Sequence, residues 1–342
     1  MKKKILLFGN FGRQNWGDEA ILKGILTILD KKIFEITVLS TDPEKTRKDF
    51  LVKSHLFPPA GFRSIFEINR WKTFNEIKKS DLIIFSGGLL QDREPGAVIL
   101  WSWFVKICKF FNKKIIFAGN SIGPLENKIS KKLAQKSLES AKFISVRDKE
   151  SKKLAISLNI PNKKIFIATD FCFNLRAKRT KKKEGTLLAF RGDGKISVFR
   201  AKKLAKNFPS PIEIVAMDKI DKEFAENFGF PVFVPNSLSE LRQKIANKKV
   251  VVGSRLHAGI LALKEKTPFV LFSAADKISN FFDDRGLAKL VFSESRIFEK
   301  KIRDLLKDFQ KNSKNWEKKF TEIITEEGKK RKNLLPSFLT NF

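Results

Sequence analysis

Short apolar runs rich in β-branched residues recur along the chain, separated by longer segments whose apolar residues fall at helical spacing. The runs lie at 4–9, 34–40, 81–86, 114–118, 143–146 and 165–169, then at 186–191, 212–216, 250–253 and 269–272. Helix-like segments at 20–29, 130–140, 149–158, 238–247 and 258–264 stand between them. A strand that is apolar on both faces has no side for water, so it belongs in a parallel sheet with helices above and below. The expected fold class is α/β, built on parallel sheets.

The pattern breaks once. Residues 174–185 carry almost no apolar side chains and end in Gly185, which reads as an exposed linker. A length of 342 residues, set against a prior of about 150 per domain, also asks for two domains. The expected division is 1–173, linker 174–185, then 186–295. The chain after that, 296–342, is basic and helical throughout. In it Ile302, Leu305, Leu306, Phe309, Trp316, Phe320 and Ile323 recur at helical spacing. That stripe is a packing face in the simplest reading and a membrane-surface helix in the other.

Lys and Arg together number 69 against 37 Asp and Glu, a net charge of +32. Such an excess reflects either lysine placed at any solvated position that tolerates it, or an anionic partner. Nucleic acid, a phosphorylated substrate and an acidic lipid surface all qualify. With neither zinc-finger spacing nor an aromatic RNA-binding signature, nucleic acid is not expected. His55 and His257 are the only histidines, which excludes a multi-histidine metal site by count. Cys108 and Cys172 have no C-x-x-C spacing and are too few for a disulfide framework. The chain has no Tyr, so no phenol does acid–base work. The apolar run behind the initial Met-Lys-Lys-Lys is too short for an export signal. The stretch 97–111 is interrupted by Lys106 and Lys109 and is too short for a membrane span. The expectation is a reduced, soluble, cytoplasmic protein.

Ligands of open parallel sheets sit beyond the carboxyl ends of strands. Here those ends are rich in Gly, Asn, Asp and Arg. The first leads into Gly9, Asn10, Gly12 and Gly17, where backbone can approach a ligand, with Asp18 placed to cap the following helix. The spacing is neither that of a dinucleotide fingerprint nor that of a P-loop. A second end carries Gly87, Gly88, Gln91 and Asp92, a backbone-lined cleft with a carboxylate able to hydrogen-bond a sugar hydroxyl or accept its proton. Gly119-Asn120-Ser121-Ile122-Gly123-Pro124 and Ser145-Val146-Arg147-Asp148 repeat the pattern, the last pair being read more simply as an ion pair. Arg191 ends the first strand of the second half. The strongest local signal is Gly253-Ser254-Arg255-Leu256-His257-Ala258-Gly259. A helix amino terminus with an arginine suits a carboxylate or phosphate, and the histidine exchanges a proton near neutral pH.

Taken in order, the runs 9–22, 86–92, 119–124, 145–148 and 253–262 resemble those of the polysaccharide pyruvyl transferase family, in particular the bacterial enzymes that modify secondary cell-wall polymers. The resemblance implies two Rossmann-like domains facing across a cleft, as in GT-B glycosyltransferases, with the acceptor on the side of 1–173 and the donor on the side of 186–295. It implies phosphoenolpyruvate as donor and an N-acetylmannosamine-like sugar of a cell-wall or surface polysaccharide as acceptor, often lipid-linked. It also implies a phosphoenolpyruvate-binding set of Arg147, Arg191, Arg255, His257 and Lys277, although the proline that usually precedes this lysine is missing. His257 would move protons while Asp18 or Asp92 orients the hydroxyls. No metal or other cofactor is expected, because the cationic side chains supply the charge. A lipid-linked acceptor is compatible with peripheral attachment at the inner face of the membrane. Two alternatives remain at this point: a nucleotide-sugar glycosyltransferase of the same architecture, and a non-catalytic protein that binds anionic polymer or membrane.

Overall fold

In the computed structural model, the apolar runs form two wholly parallel sheets. The structure describes residues 2–57, 68–92, 96–180, 182–192, 198–273, 276–293, 299–335 and 339, the side chains of 68–70, 198–200 and 276 excepted. The first sheet contains β1 (Lys3–Phe8), β2 (Phe34–Ser40), β3 (Lys53–Leu56), β4 (Leu82–Ser86), β5 (Lys114–Asn120), β6 (Phe143–Val146) and β7 (Ile165–Ile167). Its order is β3-β2-β1-β4-β5-β6-β7. The crossovers carry α1 (Trp16–Leu26), α2 (Pro43–Phe50), α3 (Ile68–Lys79), α4 (Ala97–Phe110), α5 (Lys128–Glu139) and α6 (Lys149–Ser157).

The second sheet contains β8 (Thr186–Ala189), β9 (Ile212–Val215), β10 (Val232–Phe233), β11 (Val250–Gly253), β12 (Phe269–Ser273) and β13 (Val291–Ser293), in the order β10-β9-β8-β11-β12-β13. Its helices are α7 (Val198–Ala205), α8 (Lys219–Glu226), α9 (Leu238–Ala246), α10 (Leu256–Lys264) and α11 (Asp276–Asp283), followed by α12 (Glu299–Lys311) and α13 (Ser313–Lys330). Each sheet grows outward from its first strand and then reverses. β1 and β4 flank the reversal in one, β8 and β11 in the other. That switch point leaves a crevice at the carboxyl ends of the flanking strands, because the two following helices go to opposite faces.

Central strands such as β4 (LIIFS) and β12 (FVLFS) are buried at every position, which is why they read as unbroken apolar runs. The edge strands β3, β10 and β13 were not expected. They are short and partly exposed, so nothing selects a long apolar run there. Phe8, Phe85 and Phe117 occupy neighbouring positions on β1, β4 and β5 and stack at 4.7 and 5.3 Å. They form the spine of the first core.

The chain divides into two compact units. One comprises Met1–Arg13, Ile21–Asn174 and Glu327–Phe342; the other comprises Gln14–Ala20 and Leu175–Glu326. The C-terminal segment is thus shared between units. Up to Glu326 its stripe is a packing face: Ile302, Leu305, Phe309, Trp316, Phe320 and Ile323 are all buried, and Phe320 stacks on Phe269 of β12. The membrane-surface reading of this stripe is thereby set aside. Further along, Ser145 donates to the Leu334 carbonyl and Asn333 to that of Ile167, fastening the chain end to the first sheet. Among the described residues no helix is long and apolar enough to cross a membrane.

Cys108 lies on the buried face of α4, where burial pushes its thiol from an ordinary 9.0 up to about 12. The thiolate is the reactive form. We expect site-resolved mass spectrometry to find Cys108 unlabelled by a thiol reagent at pH 8 in the native protein and labelled in denaturant. The unfolded thiol ionises first as pH rises, so Cys108 lowers stability progressively between about 9 and about 12. Equal labelling in both states would contradict this burial.

Candidate active site

In the second unit the chain ends of β8 and β11 lie side by side, with Ala189 opposite Gly253. A side chain on Gly253 would come within 2.1 Å of the Ala189 carbonyl oxygen, so only glycine permits this approach. Arg191 follows β8 directly, and its N–H donates to the Ser254 hydroxyl at 3.0 Å. Arg255 is the N-cap of α10, which places His257 in the first turn of that helix. Two of the residues that sequence reading chose in the second half, Arg191 and His257, therefore follow the two strands that flank the switch point.

Asp221 organises this corner. It lies in α8, whose N-cap Asp218 accepts from the Ile220 N–H, and it is 1% exposed. One carboxylate oxygen accepts the Gly192 N–H at 3.0 Å and a guanidinium N–H of Arg255. The other accepts Arg255 Nε–H at 2.9 Å, while Arg255 Nη1 stands 3.7 Å from Asp218. Burial pushes the Asp221 carboxyl above its ordinary 3.8, against the opposing pull of Arg255. Arg255 was expected to hold substrate. Its Nε–H and one terminal N–H form a bidentate pair with Asp221, which fixes the start of α10.

Residues 14–20 belong to this unit although they lie far back in the sequence. Trp16 N–H donates to the Met217 carbonyl at 3.0 Å. Gly17 sits against the imidazole of His257: a Cβ there would fall 2.2 Å from Nδ1. The glycine of the first loop is required by this contact. Asp18 was expected to cap α1, but the helix begins at Trp16, before it, and the Asn15 side chain accepts the Gly17 N–H at 3.0 Å. Asp18 lies half-buried in the first turn.

Gly17→Ala is a sharp test of the contact. Alanine is the better helix former by about 1 kcal/mol, so the backbone gains from the change while the ring must move. We expect a folded protein with turnover reduced by about 10²-fold, the scale of loss from a 1 Å misplacement. Unchanged turnover would show that the imidazole position is not critical.

In the first unit each remaining candidate also follows a strand. Gly9, Asn10 and Gly12 follow β1, Gly87, Gly88, Gln91 and Asp92 follow β4, and Arg147 follows β6. Gln91 donates to the Gly88 carbonyl at 2.6 Å and closes its own turn. Asp92 was expected to hydrogen-bond a sugar hydroxyl or accept its proton. One of its oxygens accepts the N–H groups of Glu126 and Asn127 at 2.7 and 3.0 Å, fixing the approach to α5. Burial alone would raise its carboxyl, but hydrogen bonds from Ser130 and these two amides hold it below its ordinary 3.8, which makes it a weak base. Arg147 does not pair with Asp148. It is 2% exposed and donates to Asp170 at 2.7 Å, while Asp148 caps α6 through the Ser151 N–H.

Lys277 opens α11 after β12, the neighbour of β11, and is half-buried. Asp193 and Ala275, which adjoin the candidates in sequence, lie outside the described residues, as does the Asp276 side chain. Sequence reading missed Asp170, Asp218 and Asp221. The strand-end rule that selected the arginines applies equally to Asp170 after β7 and Asp218 after β9, and so offered a signal for both.

Two parallel sheets, each reversing at a switch point, define an α/β protein of the GT-B class. The whole chain is similar in fold to Anabaena HepE in complex with UDP-glucose, with TM-score 0.61 and 9% identity over 96% of this chain and 95% of that one. It is similar also to UDP-GlcNAc 2-epimerase from Neisseria meningitidis, with TM-score 0.59 and 10% identity over 96% and 99%. The UDP-GlcNAc 2-epimerase from Methanocaldococcus jannaschii gives TM-score 0.58 and 11% identity over 90% and 92%. No curated protein matches the sequence. The family model for polysaccharide pyruvyl transferase matches residues 15–276, and the chain belongs to that family. It is accordingly a transferase of polysaccharide biosynthesis.

Proposed function

We propose that the protein transfers a pyruvyl group from phosphoenolpyruvate to two hydroxyls of an N-acetylmannosamine-like sugar of a cell-wall or surface polysaccharide, giving a pyruvate ketal. The observation that carries this reading is the placement of His257, packed on Gly17 in the first turn of α10, beside the strand that delivers Arg191.

Phosphoenolpyruvate brings a carboxylate and a phosphate. Arg191 and Lys277 would neutralise them by charge-assisted hydrogen bonds, helped by the amino terminus of α10. Arg255 acts one step removed, by holding that helix end through Asp221. The imidazolium of His257 would protonate the methylene carbon, which leaves a cationic centre on the neighbouring carbon. A sugar hydroxyl adds there and gives up its proton, the C–O bond to phosphate breaks, and the second hydroxyl closes the ketal. The protons lost by the two hydroxyls balance the one gained by the new methyl group and the one carried off on phosphate. The scheme draws its positive charge from side chains and uses no metal or cofactor. Arg147, buried against Asp170, has no direct part in it.

HepE is solved with UDP-glucose and the Neisseria epimerase with UDP-GlcNAc, which keeps a nucleotide-sugar reaction as the second reading. Thermal shift separates the two, since a ligand that binds only the folded state raises the unfolding midpoint. We expect phosphoenolpyruvate to raise it and UDP-GlcNAc to leave it unchanged, with phosphate release once a mannosamine-containing acceptor is added. The opposite pattern would replace this reading with the second.

A further inference from the structure

The outward face of α4 is unusual. Val98, Trp101, Ser102, Phe104, Val105 and Cys108 point into the core. At about 100° per residue, Ile99, Trp103, Lys106 and Phe110 fall within roughly 60° of one another on the opposite side. Yet Ile99 is 58% exposed and Phe110 82% exposed. The strip continues onto α3. Trp103 lies 5.9 Å from Phe74, which meets Trp71 edge-on at 6.1 Å, and Trp71 is 70% exposed. A water-facing helix would carry polar residues at these positions.

Among the described residues, the exposed charged side chains of the two helices are all lysines. Lys72, Lys78 and Lys79 of α3 and Lys106 and Lys109 of α4 are exposed. Lys113, just beyond α4, donates to the Lys78 carbonyl at 2.6 Å and so joins the two helix ends. The sequence of α4 holds no acidic residue, and the one acid of α3, Glu76, stands 3.8 Å from His55. A second copy of the chain would bring this lysine-ringed face onto itself, like charge against like. Tryptophan and phenylalanine at headgroup depth with lysines reaching phosphates is the arrangement that suits an anionic bilayer.

We propose that the α3–α4 face is a peripheral docking surface for membranes rich in anionic lipid. The proposal stands on these two helices and does not rest on the pyruvyl-transfer reading. It differs from simple attraction by the net charge of +32, which any cationic face would supply. The decisive arm is therefore the apolar one.

The test is co-sedimentation of the full chain with phosphatidylcholine vesicles, with and without phosphatidylglycerol, at physiological ionic strength. Binding is expected only where phosphatidylglycerol is present. Trp71→Ser combined with Phe110→Ser should lower it by about ten-fold or more, because both side chains lose their apolar burial. The pair should leave circular dichroism and the unfolding midpoint unchanged. Lys106→Glu with Lys109→Glu should weaken binding as well and reduce its salt dependence. Brominated lipid should quench the wild-type fluorescence, and Trp71→Phe should remove most of that quenching. Absent binding, equal binding to neutral vesicles, or a Trp71/Phe110 variant that binds like wild type would each overturn the proposal. So would a concentration-dependent dimer that the same variant dissolves, since a second copy would then cover the face.

Discussion

Replacing His257 with alanine is expected to lower phosphate release from phosphoenolpyruvate by about 10²–10⁴-fold, the usual worth of a positioned acid–base group. The fold should survive. His257 is half-buried at the helix start, and its removal empties space beside Gly17. An unchanged midpoint with collapsed turnover is the expected pair of readings. A variant that keeps full turnover would remove the imidazole from the mechanism and leave the cations alone to explain the chemistry.

The second large effect belongs to Asp221. Its removal leaves Arg255 with no partner closer than Asp218 and the Gly192 N–H without an acceptor. Breaking a buried pair in this way costs about 3–5 kcal/mol. Asp221→Ala should therefore lower the unfolding midpoint by roughly 10 °C. Turnover should fall too, because Arg191 and His257 both depend on the corner that Asp221 holds. Asp221→Leu combined with Arg255→Met should restore much of the stability, since a well-packed apolar pair of similar volume often replaces a buried ion pair at little cost. It should not restore turnover to the same degree. A wild-type midpoint in the single variant would mean that Arg255 is not clamped, and would return it to the set of direct phosphate ligands.

These two cases mark what sequence reading reaches. His257 and Arg191 were found because a strand end and a helix start are local events, written in a few neighbouring residues. The same rule placed Gly17 and Gly253, whereas Lys277 came only from the family resemblance. The rule said nothing of partners. Arg147 and Arg255 were read as cations open to substrate, and each is paired with an aspartate from elsewhere in the chain, Asp170 after β7 and Asp221 in α8. Asp92 was read as a carboxylate that hydrogen-bonds a sugar hydroxyl or accepts its proton, and one of its oxygens is occupied by the approach to α5. Asp18 lost its capping role to Asn15, three positions earlier, because the helix starts sooner than its apolar periodicity suggests. The short strands β3, β10 and β13 were invisible because edge positions exert little selection for apolar residues.

By itself the sequence determined the fold class, since strands buried on both faces must be apolar throughout and that demand is written residue by residue. It also marked the strand ends at which the candidate residues stand, because parallel strands open their ligand side at the carboxyl end. Only the tertiary structure decided which charges neutralise one another, that a glycine of the first loop lies under the imidazole, and that the water-facing apolar strip belongs to α3 and α4 while the C-terminal stripe is buried. Those outcomes depend on contacts between residues far apart in the chain, and local pattern carries no record of distance in space.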